Sequence, residues 1–338
     1  MKVYTNDDVS TEALKGARIA IIGYGSQGRA HAQNLRDSGY DVVAGVREGG
    51  RGWKHAGEDK IATAEPKDAV HGADLVAMLA PDMTHEGIYA DVVAPNLKKN
   101  ATLMFAHGFS IHYGRVKPRA DMDVILVAPK GPGIALRSRF LAGEGLPCLI
   151  AVHQEGSSGL GESFALSWAA GIGAARAAIL KTTFAQETET DLFGEQAVLC
   201  GGMLALMRGA FETLVHAGFP PDLAYMECVQ ELKQVADLIY VHGPTGMAHR
   251  ISNTAEFGAH AAIDVIDGPY LRQQFKAMLD QIRDGRFAQR LRDDADSGGR
   301  WLRARREALA AHAMEEAGRT VREWMPFLSG APDRSSGR

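Results

Sequence analysis

The chain has 338 residues, of which 46% are hydrophobic and 23% charged, and its formal net charge is −4. This composition is typical of a soluble globular protein with two domains, and the weak negative charge gives no reason to expect binding to nucleic acid or a membrane surface. No stretch approaches the roughly 18 apolar residues of a membrane-spanning helix, and the first ten residues lack the apolar core of a signal peptide. The cysteines (Cys148, Cys200 and Cys228) lie far apart and indicate neither a disulfide framework nor a metal site, so we expect a reduced, cytoplasmic protein.

The first half of the chain alternates short apolar runs with segments that are mostly long enough for helices. The runs are residues 17–23, 41–45, 74–80, 101–107, 123–129 and 146–153. Such runs are typical of strands buried on both faces of a parallel sheet, with helices as the crossover connections. We therefore predict a Rossmann-type, doubly wound α/β domain over residues 1–183.

From residue 184 onward the strand-like runs disappear, and good helix formers such as Ala, Leu, Met, Glu and Gln dominate. The stretch "FPPDLAYMECVQELKQVADLIYVHG" (219–243) has prolines at its start, apolar residues at helical spacing and His-Gly at its end. We predict an all-helical second domain over 184–328. Residues 329–338 have the composition of a disordered tail.

The first βα unit contains a glycine-rich turn, "GYGSQG", which spells G-x-G-x-x-G with Gly23, Gly25 and Gly28. Glycines permit a tight turn and a close approach of the backbone, and the following helix offers unpaired N–H groups to a pyrophosphate. In this context the motif predicts a dinucleotide site. Its predicted cofactor contacts are Gly23, Tyr24, Gly25, Ser26, Gln27 and Gly28.

The loop after the second strand bears on the choice of dinucleotide. NAD sites usually have an acid there for the ribose 2′-hydroxyl, whereas this chain has Arg47, with Arg51 nearby. A guanidinium suits a 2′-phosphate, so NADP(H) is favoured. Glu48 is an acid beside Arg47, and surface arginines are often merely solvated. The choice between NADPH and NADH therefore stays open at this point.

Two pairs of acids lie on or beside apolar stripes of the helical half: Asp191 with Glu195, and Glu227 with Glu231. Like charges four residues apart weaken a helix, so a positive group is expected between them. Four carboxylates resemble a site for Mg²⁺ or Mn²⁺, and two ions could polarise a carbonyl and a hydroxyl of one substrate. The alternative is a pair of solvated acidic faces, which would be favoured if only one pair were present.

Three further positions have a chemical character. His107 follows the fourth strand and Lys130 the fifth, at the carboxyl edge where doubly wound sheets bind ligands. Ser252 lies in a predicted turn that could bind a carboxylate. Taken singly, a histidine or lysine after a strand is more often structural, and the matching positions of these two favour a site.

Seven segments, taken together, resemble ketol-acid reductoisomerase, also called acetohydroxyacid isomeroreductase. They are "GYGSQGRAHAQNLRDSG", "FAHGF", "VAPKGPG", "ETDLFGEQAVLCGG", "ECVQELK", "ISNTAEFG" and "MPFL", in the family's order, and the helical half is like that of its short-chain class. The resemblance implies conversion of 2-acetolactate or 2-aceto-2-hydroxybutyrate to a 2,3-dihydroxy-3-alkyl acid, on the way to valine, leucine and isoleucine. It implies a Mg²⁺-dependent alkyl migration followed by an NADPH-dependent reduction.

The resemblance also implies roles for individual residues. Asp191 and Glu195 of one chain, with Glu227 and Glu231 of its partner, would bind two Mg²⁺ ions. The implied catalytic residues are His107, Lys130 and Glu231, the last as a proton carrier, and Ser252 would contact the substrate. Cofactor contacts outside the glycine turn would be Arg47, Gly50, Gly52, Asp82, His85 and Gly133. We expect a homodimer or a larger assembly of dimers.

Two positions depart from the family pattern. Family members that use NADPH often carry serine or threonine in the loop after the second strand, whereas residues 50 and 52 are both glycine here. His85 replaces the usual glutamine. Two other interpretations remain at the level of the sequence. One is a different hydroxyacid dehydrogenase with a Rossmann domain and a helical domain, and the other is a non-catalytic dinucleotide sensor.

Overall fold

A computed structural model of the protein describes residues 1–329, which divide into two compact units. The sheet unit is Met1–Thr190, and the helical unit begins at Asp191. The sequence-based boundary after residue 183 falls at the start of a helix, Phe184–Gly194, and the two units divide inside that helix. The domain boundaries therefore stay a prediction, and the predicted tail, apart from its first residue, lies outside the described residues.

The sheet unit contains nine strands in the order β1-β9-β8-β7-β6-β5-β2-β3-β4. Their bounds are β1 Val3–Tyr4, β2 Arg18–Ile22, β3 Asp41–Gly45, β4 Ala62–Ala64, β5 Leu75–Met78, β6 Thr102–Phe105, β7 Asp123–Pro129, β8 Cys148–Gln154 and β9 Ile179–Lys181. The six strands from β7 to β4 are parallel, while β8 runs antiparallel to β7 and β1 antiparallel to β9. The six predicted strands are all present, and the predicted α/β fold class is confirmed.

Helices connect the strands of the sheet unit. They are α1 Ser26–Asp37, α2 Arg51–Glu58, α3 Pro66–Val70, α4 Asp82–Ile88, α5 Ala94–Asn96, α6 Phe109–His112, α7 Gly133–Leu141, α8 Gly161–Gly171 and α9 Phe184–Gly194. Alternate residues of β2 supply the two cores of a doubly wound sheet: Ile19 packs in a cluster with Trp168, and Ile22 in another with Phe105. The sheet is therefore covered by a mainly apolar core on both faces.

The described part of the helical unit consists of α-helices, short connections and π-helical turns, which are called wide turns below. The helices are α10 Gly201–His216, α11 Pro221–Tyr225, α12 Leu232–Ala248, α13 Asn253–Ile266, α14 Pro269–Arg283, α15 Arg286–Asp296, α16 Arg300–Ala310, α17 Ala313–Glu323 and α18 Pro326–Ser329. Gly243 has φ +72° inside α12 and is followed by Pro244, so the predicted stop at His-Gly appears as a kink. Among residues 1–329, π-helical turns occur at Tyr89–Val93 in the sheet unit and at Glu195–Leu199 and Met226–Gln230 in the helical unit.

The helical unit buries few of its own apolar side chains. Its core cluster is Phe211, Ala224, Tyr225, Met314, Ala317 and Val321. In contrast, Val265 is 82% exposed and Phe257 78% exposed. Large exposed apolar surfaces on a protein usually mark a contact with a partner.

One helical run, Phe184–His216, is long and apolar enough to cross a membrane by length and composition, with a mean hydropathy of 1.5. The expectation that no such segment exists was therefore too strong. Only 6% of its apolar window is buried. A single run of this kind is weak evidence for a membrane span, because helices of soluble proteins pass the same test.

Candidate active site

His107 and Lys130 follow neighbouring parallel strands, β6 and β7, at the carboxyl edge of the sheet. Both side chains converge on one carboxylate, that of Glu187 in the first turns of α9. His107 Nδ1 lies 3.1 Å from Glu187 Oε2, and Lys130 Nζ donates to Glu187 Oε1 at 3.1 Å. The backbone N–H of Gly108 also donates to Glu187 Oε2, at 2.9 Å. The structure thus brings two predicted site residues together through a third that was not predicted.

The Glu187 side chain is only 1% exposed. Burial by itself opposes ionisation, but the hydrogen bond with His107, the charges of His107 and Lys130, and the Gly108 N–H together lower the pKa of the Glu187 carboxyl below its usual value. The carboxylate is therefore ionised at neutral pH. If it accepts the proton of His107 Nδ1, the ring presents the lone pair of Nε2 on its other side.

Gly108 explains why α9 can lie so close to the sheet edge. A Cβ atom at this position would lie 2.3 Å from Thr188 Oγ1 and 2.9 Å from the carbonyl oxygen of Phe184. Any larger residue would push the first turn of α9 away and carry Glu187 with it. Phe109 supports the site from the other direction, since its ring stacks with that of His107 at a centroid distance of 6.3 Å.

The glycine turn after β2 has the geometry of a dinucleotide site. Gly23 has φ +101°, and a Cβ atom at Gly28 would lie 2.1 Å from the carbonyl oxygen of Gly23. Strand β2 and helix α1 can therefore meet closely only with glycine at both positions. Gly25 is the N-cap of α1, and nothing lies within 4 Å of the Cβ position there, so its backbone is open to a ligand.

The other predicted contacts near this turn occupy different environments. Ser26 and Gln27 form the first turn of α1, and Gln27 Nε2 donates to the Gly131 carbonyl at 3.0 Å. Gly133 is buried at the start of α7, where a Cβ atom would lie 2.1 Å from the Ser26 carbonyl oxygen. Tyr24 is buried, and its hydroxyl donates to Asp59 Oδ2 at 2.9 Å. Gly133 and the Tyr24 side chain thus support the glycine turn through these contacts with the rest of the sheet unit.

Arg47 is exposed in the loop between β3 and α2, Gly50 is the N-cap of α2, and Arg51 is exposed at the first position of that helix. A Cβ atom at Gly52 would lie 3.0 Å from Val46 Cγ1 and 3.5 Å from Tyr24 Cβ. The loop therefore packs directly against the glycine turn. In doubly wound folds the loop after the second strand lies near the adenosine ribose of the dinucleotide.

His85 occupies a buried position in α4, three residues after Asp82. Its Nε2 lies 2.7 Å from the Ala80 carbonyl oxygen and its Nδ1 2.9 Å from Ser110 Oγ. Desolvation lowers the pKa of His85, so a neutral ring donates to Ala80 and accepts from Ser110. The Ala80 backbone lies directly against Gly23. The hydrogen bond with His85 therefore holds the backbone that packs against the glycine turn.

The predicted metal ligands lie in the helical unit, each pair at one wide turn. Asp191 is in α9 and Glu195 opens the turn Glu195–Leu199, while Glu227 is inside the turn Met226–Gln230 and Glu231 directly follows it. Asp191 is partly buried, and the other three acids are exposed.

Ser252 is the N-cap of α13, and its Oγ accepts a hydrogen bond from the Ala255 N–H at 3.2 Å. Its hydroxyl hydrogen can still be donated to another group.

Glu187 is the site residue that sequence reasoning missed. A signal was present, because Glu187, Asp191 and Glu195 repeat every four residues and so extend one helical stripe of acids. Glu187, the first of the three, is the one whose side chain is almost completely buried.

Two family models together match most of this chain. Residues 13–178 match the NADPH-binding domain of acetohydroxy acid isomeroreductase, and residues 184–327 match the C-terminal domain of ketol-acid reductoisomerase. The chain belongs to the ketol-acid reductoisomerase family. It therefore catalyses the isomeroreductase reaction of branched-chain amino acid biosynthesis, which converts 2-acetolactate or 2-aceto-2-hydroxybutyrate to the dihydroxy acid.

Solved structures agree with this assignment. An NADH-preferring ketol-acid reductoisomerase from an uncultured archean is 41% identical, with a TM-score of 0.93, over 96% of this chain and 99% of that one. More distant matches share the fold alone. They are a semialdehyde dehydrogenase NAD-binding protein from Cupriavidus necator (21% identity, TM-score 0.58, 79% of this chain, 99% of that one) and a pyrroline-5-carboxylate reductase from Coxiella burnetii (13%, 0.54, 79%, 96%). The family match excludes the two other interpretations, a different dehydrogenase and a non-catalytic sensor.

Proposed function

We propose that this ketol-acid reductoisomerase uses NADPH, also accepts NADH, and binds two Mg²⁺ ions in a site that two chains share. The proposed metal ligands are Asp191 and Glu195 of one chain and Glu227 and Glu231 of its partner. The observation that supports the active site most directly is the buried Glu187 carboxylate, which holds both His107 and Lys130 at the carboxyl edge of the sheet.

The donor set fits the proposed ions. Four carboxylates supply the hard oxygen ligands that Mg²⁺ prefers, and none of the four is a histidine or cysteine that would favour a softer metal. The alkyl group moves between two adjacent carbons of the substrate, one with a hydroxyl and the other a carbonyl carbon. When bound, the two ions would polarise these two oxygen groups. Three of the carboxylates are exposed in the single chain. Such exposure is expected of ligands whose site is completed by a second subunit.

The remaining roles follow from the contacts of this chain's own residues. Glu187 orients the His107 ring through Nδ1 and keeps the Lys130 ammonium group at the site. Ser252 can donate its hydroxyl hydrogen to a substrate oxygen while its lone pair caps α13. Glu231 would carry the proton that leaves or reaches the substrate hydroxyl. The first turn of α1 would bind the pyrophosphate and so direct the nicotinamide to the same sheet edge.

The preference for NADPH is supported by the exposed Arg47 and Arg51, because a guanidinium pairs well with a phosphate. The glycines at 50 and 52 supply no hydroxyl donors, and the archaeal relative prefers NADH. Both observations support acceptance of the second cofactor.

A dimer is supported by the exposed apolar side chains of the helical unit. They include Tyr240, Val241, Phe257, Val265 and Tyr270, which are 65–82% exposed. A helical unit with so small a core of its own would be stabilised by packing these faces against a second copy. We further infer a cytoplasmic enzyme, since the apolar run Phe184–His216 carries three carboxylates of the proposed site.

The test is turnover of 2-acetolactate, followed by the ultraviolet absorbance of NADPH and, separately, NADH, with and without Mg²⁺. We expect metal-dependent turnover with both cofactors and a higher kcat/KM with NADPH. The variant Glu195→Gln should still bind NADPH but lose more than about 100-fold in turnover, because even residues that only support a metal ligand contribute about 10- to 100-fold. Turnover that is unchanged after removal of metal would refute the proposed ligand set.

A further inference from the structure

The two wide turns of the helical unit coincide with the acids proposed to bind metal. In the first turn the Cys200 N–H donates to the Glu195 carbonyl, and in the second the Glu231 N–H donates to the Met226 carbonyl. Both bonds span five residues instead of the four of an α-helix. Since π-helical residues make up less than about 1% of globular proteins, their occurrence at both acid pairs indicates a role for them in the site.

A glycine pair makes the first turn feasible. A Cβ atom at Gly202 would lie 2.0 Å from the Ala197 carbonyl oxygen, and one at Gly201 would lie 2.4 Å from the Gln196 carbonyl oxygen. In both cases the obstacle is backbone five residues earlier, which cannot rotate away as a side chain can. The close approach of these carbonyl groups follows from the wide turn itself, because an α-helix directs them to the residue four positions later.

The turn fixes how Asp191 and Glu195 are directed with respect to the core of the helical unit. Asp191 precedes the five-residue bond and Glu195 begins it, whereas α10 follows it and places Phe211 in the core cluster. A π-turn accommodates one extra residue while the helix segments on either side keep their alignment. If the turn closed as an α-helix with the same number of residues, the acids would rotate by about 100° around the helix axis relative to Phe211.

We propose that Gly201 and Gly202 are positioning residues for the metal site. By allowing the wide turn Glu195–Leu199, they hold the carboxylates of Asp191 and Glu195 on the side of the helix where the second acid pair can join them. This inference rests on the proposed metal ligands. It adds a requirement on two residues that touch neither substrate, cofactor nor metal.

The experiment measures Mn²⁺ binding to the full-length protein by electron paramagnetic resonance, together with NADPH binding and thermal unfolding. We expect Gly202→Ala to weaken Mn²⁺ binding at least about tenfold, as other residues that support metal ligands do, and to leave the Kd for NADPH unchanged. Gly201→Ala should have the same effect to a smaller degree. Gly209→Ala is the matched control, because Gly209 lies in the same helix and nothing in the chain lies within 4 Å of its Cβ position.

A second variant separates positioning from simple loss of folding. Deleting Val198 from the Gly202→Ala protein shortens the wide turn to an α-helical one, in which alanine fits and the alignment with α10 is kept. We expect this double variant to regain both the unfolding temperature and the Mn²⁺ affinity that Gly202→Ala loses.

Three results would overturn the inference. Gly202→Ala with wild-type Mn²⁺ affinity would refute the role of the glycines and leave the proposed function standing. A double variant that regains its unfolding temperature but not its Mn²⁺ affinity would refute the role of alignment. Wild-type protein that binds Mn²⁺ no better than Glu195→Gln would refute the proposed metal ligands and, with them, this inference.

Discussion

The sheet unit and the helical unit cover their apolar side chains in opposite ways. In the sheet unit, Ile19, Leu75 and Phe105 are completely buried within one chain. In the helical unit, α12, α13 and α16 have no buried residue among those described, and Val265 and Phe257 are more than three-quarters exposed. The difference teaches that the sheet unit buries its core within one chain, whereas the exposed apolar side chains of the helical unit support the proposed dimer.

The largest effect is expected from a charge placed on the exposed apolar face of the helical unit. Val265→Asp should weaken self-association by about 2–4 kcal/mol, roughly 30- to 1,000-fold, because a desolvated carboxylate would be buried twice in a symmetric interface. Sedimentation and turnover measured over a range of protein concentrations check this. The control is Leu141→Asp, at a residue of the sheet unit that is 67% exposed. If both variants dimerise equally and are equally active, the exposed apolar face around Val265 is not the dimer interface.

Loss of the Glu187 carboxylate should damage both stability and activity. Glu187→Gln leaves Lys130 and His107 without their shared partner, which should cost about 1–3 kcal/mol of unfolding free energy at neutral pH and about 10- to 100-fold in kcat. Because folding lowers the pKa of Glu187, its contribution is complete above the unfolded pKa. It is lost as the pH falls through the lower, folded value.

The stability difference between wild type and Glu187→Gln should therefore shrink in acid, as measured by chemical unfolding at several pH values. As a control, Glu12→Gln removes an exposed ion pair with Lys15 and should change stability by less than about 1 kcal/mol. A Glu187→Gln deficit that grows in acid would show that the carboxyl is not held ionised in the native protein.

A moderate effect is expected at His85. His85→Ala removes both ring contacts, with Ala80 and Ser110, and should destabilise the protein by about 1–3 kcal/mol. It should also raise the KM for NADPH, since Ala80 touches Gly23. His85→Gln can donate to one group and accept from the other, so its KM should stay near that of wild type. An unchanged KM for His85→Ala would exclude the positioning role.

The smallest effect is expected at the exposed Arg47. Arg47→Ala should lower the preference for NADPH over NADH, expressed as a ratio of kcat/KM values, by about 1 kcal/mol or roughly fivefold, as is typical of solvent-exposed charge pairs. Turnover with NADH should change little. If both cofactors lose equally, Arg47 does not contact the 2′-phosphate.

Much of the sheet unit could be predicted because its signals are local. The apolar runs of β2 and β5 are short and continuous, and the glycine turn is contiguous in sequence. The three shortest strands, β1, β4 and β9, were missed, since two or three residues are too few to form a distinctive pattern. The antiparallel direction of β8 was missed as well, because an apolar run does not reveal which way a strand enters the sheet.

The site could be predicted only where a residue type and its neighbours in sequence indicate the chemistry. His107 and Lys130 were found from their places after strands, but Glu187, their common partner, comes from a helix far along the chain. The four-residue spacing within each acid pair, Asp191 with Glu195 and Glu227 with Glu231, suggested regular α-helices, and the π-turns at these pairs were not foreseen. In retrospect the pair Gly201-Gly202 was the available signal, because adjacent glycines inside a helix require a backbone reason.

The most direct test of an active site shared by two chains is complementation between two inactive variants. Glu195→Gln and Glu231→Gln chains, carrying different tags and produced together, can be purified as a mixed dimer. If each site takes Glu195 from one chain and Glu231 from the other, one of the two sites in the mixed dimer is intact. We predict that it has about half the wild-type turnover while both parent dimers are nearly inactive. A mixed dimer as inactive as its parents would show that the four acids do not come from two chains.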